Sequence, residues 1–172
     1  MIRAMIGTVA VLAGFAVVER SVDASTGQGG TCAATDVYTW LRHGEFVPLH
    51  AEPTLNAPVT GRVEARPVGP EGARTVVRLS GSQGGWARIT TSEGQAQGWM
   101  PADLLMVDAR VSGPLNVHSR PGAMGVKLAT LDGEEDTFRV LGCRGTWLHV
   151  ISAGTGDAWI DRWCARDEGC RG

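Results

Sequence analysis

Cysteine has the widest chemical range of any residue type in this sequence, because a thiolate can act as nucleophile, metal ligand or disulfide half. The cysteines are Cys32, Cys143, Cys164 and Cys170. No two of them form a CxxC pair, and Cys164 and Cys170 are too far apart for a zinc knuckle. The sequence therefore predicts two disulfides and no metal site. Of the three connectivities that four cysteines allow, we favour Cys143 with Cys164 and the other two cysteines with each other.

Amide hydrolysis by a Cys–His pair is the enzymatic alternative. A nucleophilic cysteine needs a lowered pKa, usually at the start of a helix, and a histidine that accepts its proton. The sequence predicts no long helix beyond the amino-terminal segment, and its cysteines are expected to be paired. GxSxG, HExxH and phosphate-loop patterns are also missing from the sequence. We therefore expect a protein that is not an enzyme and that uses no cofactor.

The sequence contains an internal repeat, which defines the elements that must position any binding residues. Residues 47–53 (VPLHAEP) resemble residues 115–121 (LNVHSRP), an offset of 68. Further along, GWARI at 85–89 resembles TWLHV at 146–150, and GWM at 98–100 resembles AWI at 158–160. His50 and His118 are therefore equivalent. They could face a ligand, but we favour two histidines that end a first strand and face solvent. His43 and His149 lack such counterparts and are expected at the surface.

The periodicity inside each repeat is that of β-strands. Apolar and polar residues alternate over 75–79 and 86–90, and again over 137–141 and 147–151. Glycine-containing turns at 81–85 and 144–145 separate the strands of each pair. Each repeat is therefore predicted to be a meander of short antiparallel strands, with one helical turn near 101–104 and another near 161–164.

The second repeat resembles the bacterial SH3-like domain through LNVHSRPG at 115–122, RVLGCRGTW at 139–147 and AWI at 158–160. The first repeat matches more loosely, through GGW at 84–86 and GWMPADLL at 98–105. The resemblance implies an all-β protein of two consecutive small SH3-like β-barrels, at 44–107 and 108–172. Such modules bind peptidoglycan or protein partners in the cell envelope.

The resemblance also implies where a ligand would bind. A shallow groove in the second barrel is expected to recognise peptide stems or cross-bridges of peptidoglycan. Its candidate residues are His118, Arg120, Trp147, Trp159 and Trp163. Trp163 has no counterpart in the first repeat, and it either stacks on a ligand or packs against Cys164 and the tail. The alternative function is a protein-interaction or structural adaptor in the periplasm.

The amino terminus has the pattern of a secretory signal peptide. Met1 to Arg3 carries one positive side chain, and residues 4–18 are uncharged and mostly apolar. This run is shorter than the about 20 residues that a membrane span needs. We expect a signal peptide over 1–24, a lead-in segment over 25–43, a periplasmic or secreted location, and no membrane association after cleavage. An uncleaved anchor is the alternative.

Charge and composition exclude several classes of protein. The 16 basic and 18 acidic residues give a net charge of -2, which argues against nucleic-acid binding. The 24 glycines among 172 residues argue against a helical bundle. The acidic cluster at 132–136 could receive amino groups of a ligand, but a solvated turn is favoured. The expected partner is therefore peptidoglycan or an envelope protein.

Overall fold

A computed structural model describes residues 30–65, 73–111, 113–131, 137–152 and 156–165. The predicted signal peptide, the acidic cluster at 132–136 and Cys170 lie outside these residues. Within them, no helix is both long and apolar enough to span a membrane.

The described residues form one antiparallel sheet of 12 strands, which confirms the all-β prediction. The strands are β1 Gly30–Leu41, β2 Phe46–His50, β3 Val59–Glu64, β4 Ala73–Gln83, β5 Trp86–Thr91, β6 Gln97–Pro101, β7 Met106–Asp108, β8 Leu115–His118, β9 Lys127–Leu131, β10 Thr137–Arg144, β11 Trp147–Ser152 and β12 Gly156–Ile160. A single 3-10 turn, Ala102–Leu104, is the only helical element of the described residues.

The strand order shows that the sheet consists of two equivalent halves. The order is β3-β2-β6-β5-β4-β1-β7-β10-β11-β12-β8-β9. From its outer edge inward, the first half (β1 to β6) has the order β3-β2-β6-β5-β4-β1, and the second half (β7 to β12) has the order β9-β8-β12-β11-β10-β7. Each strand of the second half thus occupies the position of the first-half strand numbered six lower. The halves meet where β1 pairs with β7, at Tyr38 and Met106. The repeat found in the sequence is thus a repeat of strand topology.

Alternation of side chains along the strands builds the core. On β5, Ala87 and Ile89 are fully buried while Arg88 is exposed, and on β11 Leu148 and Val150 are buried on either side of His149. A tight turn joins β4 to β5, where Gly84 and Gly85 have φ angles of 54° and 81°, which favour glycine. The inward residues of both halves form one continuous core.

Residues 25–43, expected as a lead-in, contain a strand of the first half. β1 runs along β4 from Gly30 opposite Ser82 to Leu41 opposite Ala73. Conversely, β7, expected at the end of the first unit, pairs mainly with β10 of the second half, with Phe138 opposite Val107. β1 is therefore part of the first half, and β7 is part of the second.

The disulfide in the structure joins the two halves. Cys32 on β1 is bonded to Cys143 on β10, with Cα atoms 5.6 Å apart. The favoured pairing of Cys143 with Cys164 is therefore wrong, because β1 crosses beside β10 and brings Cys32 to it. The amide of Ala33 also donates to the carbonyl of Gly145 at 2.7 Å. Cys164 is disulfide-bonded too.

Candidate functional site

The second half carries a group of aromatic rings on its outward surface, which we call the second aromatic face. It consists of His118, Trp147, His149 and Trp159, all of them half-buried. The pairing of β8, β12 and β11 places them side by side, since Trp159 lies opposite both His118 and His149. Their neighbours Val117, Leu148 and Ala158 point into the core, so alternation turns the rings outward.

The rings contact one another in two pairs. His118 meets Trp147 edge to face, with ring centroids 5.2 Å apart. His149 stacks on Trp159, with centroids 4.7 Å apart and the ring planes 9° from parallel. Both geometries are favourable for aromatic rings. The contacts hold the rings in fixed positions on the sheet.

The first half repeats this arrangement, and we call His50, Trp86, Arg88 and Trp99 the first aromatic face. His50 meets Trp86 edge to face at 5.5 Å between centroids. Trp99 lies opposite His50 on one side and Arg88 on the other. Arg88 thus takes the place that His149 has in the second face.

The two equivalent histidines share a backbone contact. Nδ1 of His50 lies 3.0 Å from the carbonyl oxygen of Ala57, and Nδ1 of His118 lies 3.5 Å from that of Gly125. Because a carbonyl only accepts, Nδ1 of each ring must donate, which leaves Nε2 without the proton in a neutral ring. Both end a strand, as expected, and these strands, β2 and β8, are the second in each half. The favoured solvent-facing position is wrong for His50, which is only 5% exposed.

His149 is the member of the second face that the sequence did not single out. Burial lowers the pKa of His149, and the Asp157 carboxylate, 3.9 Å away, opposes this only in part. The imidazole is therefore neutral at neutral pH. Its partner Trp159 lies on another strand, so only the register of β11 and β12 reveals the stacked pair.

The structure brings together three of the five predicted groove residues. His118, Trp147 and Trp159 belong to the second aromatic face. Arg120 is exposed in the turn after β8. Trp163 does not join the face: its indole Nε1 donates to the backbone carbonyl of Asp36 on β1 at 3.1 Å, and its ring packs against the core.

A groove of about 450 Å³ lies in the first half, and its lining includes no residue of either aromatic face. It is formed by the end of β3, the start of β4 and the loop between β5 and β6, including Arg62, Glu64 and Glu93. Arg62 and Glu64, two residues apart on β3, form an ion pair in its lining. The second aromatic face is by contrast an open sheet surface.

The described residues contain no group of three or more histidine, cysteine, aspartate or glutamate side chains placed to hold a metal ion. No family model matches the sequence, and none of the curated proteins searched matches it. The class that the geometry defines is thus an all-β protein with a duplicated aromatic face.

Proposed function

We propose that this protein is an exported, non-enzymatic binding protein of the bacterial cell envelope, in which two SH3-like modules recognise the peptides of peptidoglycan. The observation that carries the proposal is the duplicated aromatic face. Each half holds a histidine edge-on against one tryptophan and sets a second tryptophan on the neighbouring strand. Half-exposed, rigid aromatic rings offer contact area at low entropic cost.

The way the halves are joined supports the same proposal. The Cys32–Cys143 disulfide and the β1–β7 pairing fix the two faces relative to each other. Two weak sites on one rigid body bind a polymer more tightly than either site alone. Peptidoglycan repeats its peptides along a polymer. The disulfide also suits an oxidising compartment.

Sedimentation with purified sacculi at physiological salt tests the proposal. We expect the oxidised protein to sediment saturably, and Trp159→Ala to weaken binding several-fold by removing the ring on which His149 stacks. Trp40→Ala is the matched control, because Trp40 is 48% exposed on β1 and belongs to neither face. Failure of the folded wild type to sediment would overturn the proposal.

A protein-binding adaptor is the second candidate, and exposed apolar side chains favour it. Met124 is 86% exposed and Val126 68% exposed in the loop that follows His118. Exposed apolar patches of this kind mark protein contacts. For an adaptor, we expect Met124→Ser to abolish binding to an envelope protein, while sacculi alone leave the wild type in solution.

A further inference from the structure

Arg88 gives the first aromatic face a charge that the second face lacks. It lies on β5 between the two inward residues Ala87 and Ile89, so its side chain projects outward beside Trp86. Across the sheet it stands opposite Trp99. The equivalent position of the second half holds His149, which is neutral at neutral pH.

The Arg88 guanidinium is held in place by a neutral partner. With the Gln97 amide oriented so that its oxygen faces Arg88, this oxygen accepts from Nη2 at 2.6 Å and from Nε at 3.2 Å. A guanidinium has five N–H donors, so donors remain for a further acceptor. Since the amide is uncharged, it orients the cation and leaves its charge uncompensated.

Arg88 differs from two other arginines of the first half, which are neutralised by carboxylates. Arg74 pairs with Asp108 and Arg78 pairs with Asp36. Arg88 forms no ion pair with any acidic side chain of the described residues. Two half-buried tryptophans flank it, and contact with them would shield a bound anion from water and strengthen a charge-assisted hydrogen bond.

We propose that the first aromatic face is a carboxylate-binding site, in which Arg88 receives the carboxylate of a peptide and Trp86 and Trp99 contact its apolar part. The guanidinium fork matches a carboxylate in shape and charge. This inference deepens the proposed function, because it assigns the two faces different specificities. The first face selects a peptide with a free carboxylate, and the second face, which includes no arginine, binds without this preference.

Binding of the acetylated tripeptide Ac-Lys-D-Ala-D-Ala and of its carboxy-terminal amide, followed by tryptophan fluorescence and NMR, tests the site. We expect the acid to bind the whole exported protein about tenfold more tightly than the amide, as one charge-assisted hydrogen-bonded pair would give. Arg88→Gln should remove this preference. Arg78→Gln is the matched control, because Arg78 is also an exposed arginine, on the neighbouring strand β4, and it should keep the preference.

His149→Arg provides a second test, which measures a gain of carboxylate preference instead of a loss of binding. We expect His149→Arg, combined with Asp157→Gln so that the Asp157 carboxylate does not neutralise the new guanidinium, to give the second face the same preference for the acid, and so to double the number of acid-selective sites. Equal binding of acid and amide by the wild type, no binding of either, or a preference that survives Arg88→Gln would overturn the inference. Sedimentation with sacculi reports separately on the proposed function, since it requires no preference for a carboxylate.

Discussion

The Tyr38 hydroxyl donates a hydrogen bond of 2.7 Å to Oδ1 of Asp108, and this bond links the first strand of one half to the central strand of the other. Asp108 is 3% exposed. Its Oδ2 lies 2.5 Å from Nη1 of Arg74, and Thr137 donates to Oδ1 at 3.1 Å. A buried carboxylate is tolerated only when it is paired and hydrogen-bonded. Groups from both halves therefore satisfy one charge at their junction.

Asp108→Asn should destabilise the protein strongly. The amide keeps an acceptor for Tyr38 but removes the negative charge beside Arg74, whose side chain is only 14% exposed. Breaking one partner of such a buried pair costs about 3 kcal/mol of unfolding free energy. Guanidinium unfolding under oxidising conditions measures the change. Asp103→Asn, at an exposed position, should change stability by less than about 0.5 kcal/mol, and an equal effect of both would contradict this account.

Tyr38 is the only tyrosine in the sequence, so its ionisation can be followed directly by absorbance near 295 nm. Burial and the hydrogen bond to Asp108 raise the pKa of Tyr38 to about 12. Because the folded-state pKa lies above the unfolded value of about 10, the stability from this group is present below pH 10 and is lost between pH 10 and 12. We expect a midpoint near 12 in the native protein and near 10 in guanidinium. A native titration midpoint near pH 10 would mean that the Tyr38 phenol is exposed to water, and it would contradict the burial seen in the structure.

The strands of the two repeats were predictable because their signal is local. Alternating residues at 75–79 and 147–151, and glycines at the turns, specify strands without reference to distant residues. The equivalence of His50 and His118 was also visible, since both end the first strand of a hairpin whose partner begins nine residues later, at Val59 and Lys127.

Features that depend on contacts between distant segments were not predictable. Much of β1 lacks clean alternation, and its place follows from pairing with β4 and β7. The burial of His50 and the stacking of His149 on Trp159 depend on strand register. The positions of the four cysteines in the sequence do not determine their pairing, which depends on β1 lying beside β10.

The Cys32–Cys143 bond can be read directly by peptide mapping. Trypsin, which cuts after arginine and lysine, should release a peptide ending at Arg42 linked to residues 140–144 (VLGCR) when the digest is not reduced. The favoured sequence-based pairing would instead link 140–144 to 163–166 (WCAR), and that product would contradict the structure. Because the two cysteines are 111 residues apart, replacing both with serine should cost about 5 kcal/mol.

Trp163 is expected to have a structural role, in contrast to the tryptophans of the two aromatic faces. Its indole donates to the Asp36 carbonyl, which lies on β1 of the other half. Trp163→Phe removes this donor and keeps most of the ring, so we expect a loss of about 1 kcal/mol in unfolding free energy. Trp163→Ala also removes packing against the core, and we expect about 2 kcal/mol or more.

Trp163→Phe and Trp159→Ala together test where the ligand binds. Because Trp163 lies apart from the second aromatic face, folded Trp163→Phe should sediment with sacculi as the wild type does, whereas Trp159→Ala should not. The comparison is made at a temperature where circular dichroism shows both variants folded. Loss of binding by Trp163→Phe without a loss of stability would contradict this expectation. It would mean that the ligand site extends to the junction of the halves and that the Trp163 indole N–H donates to the ligand.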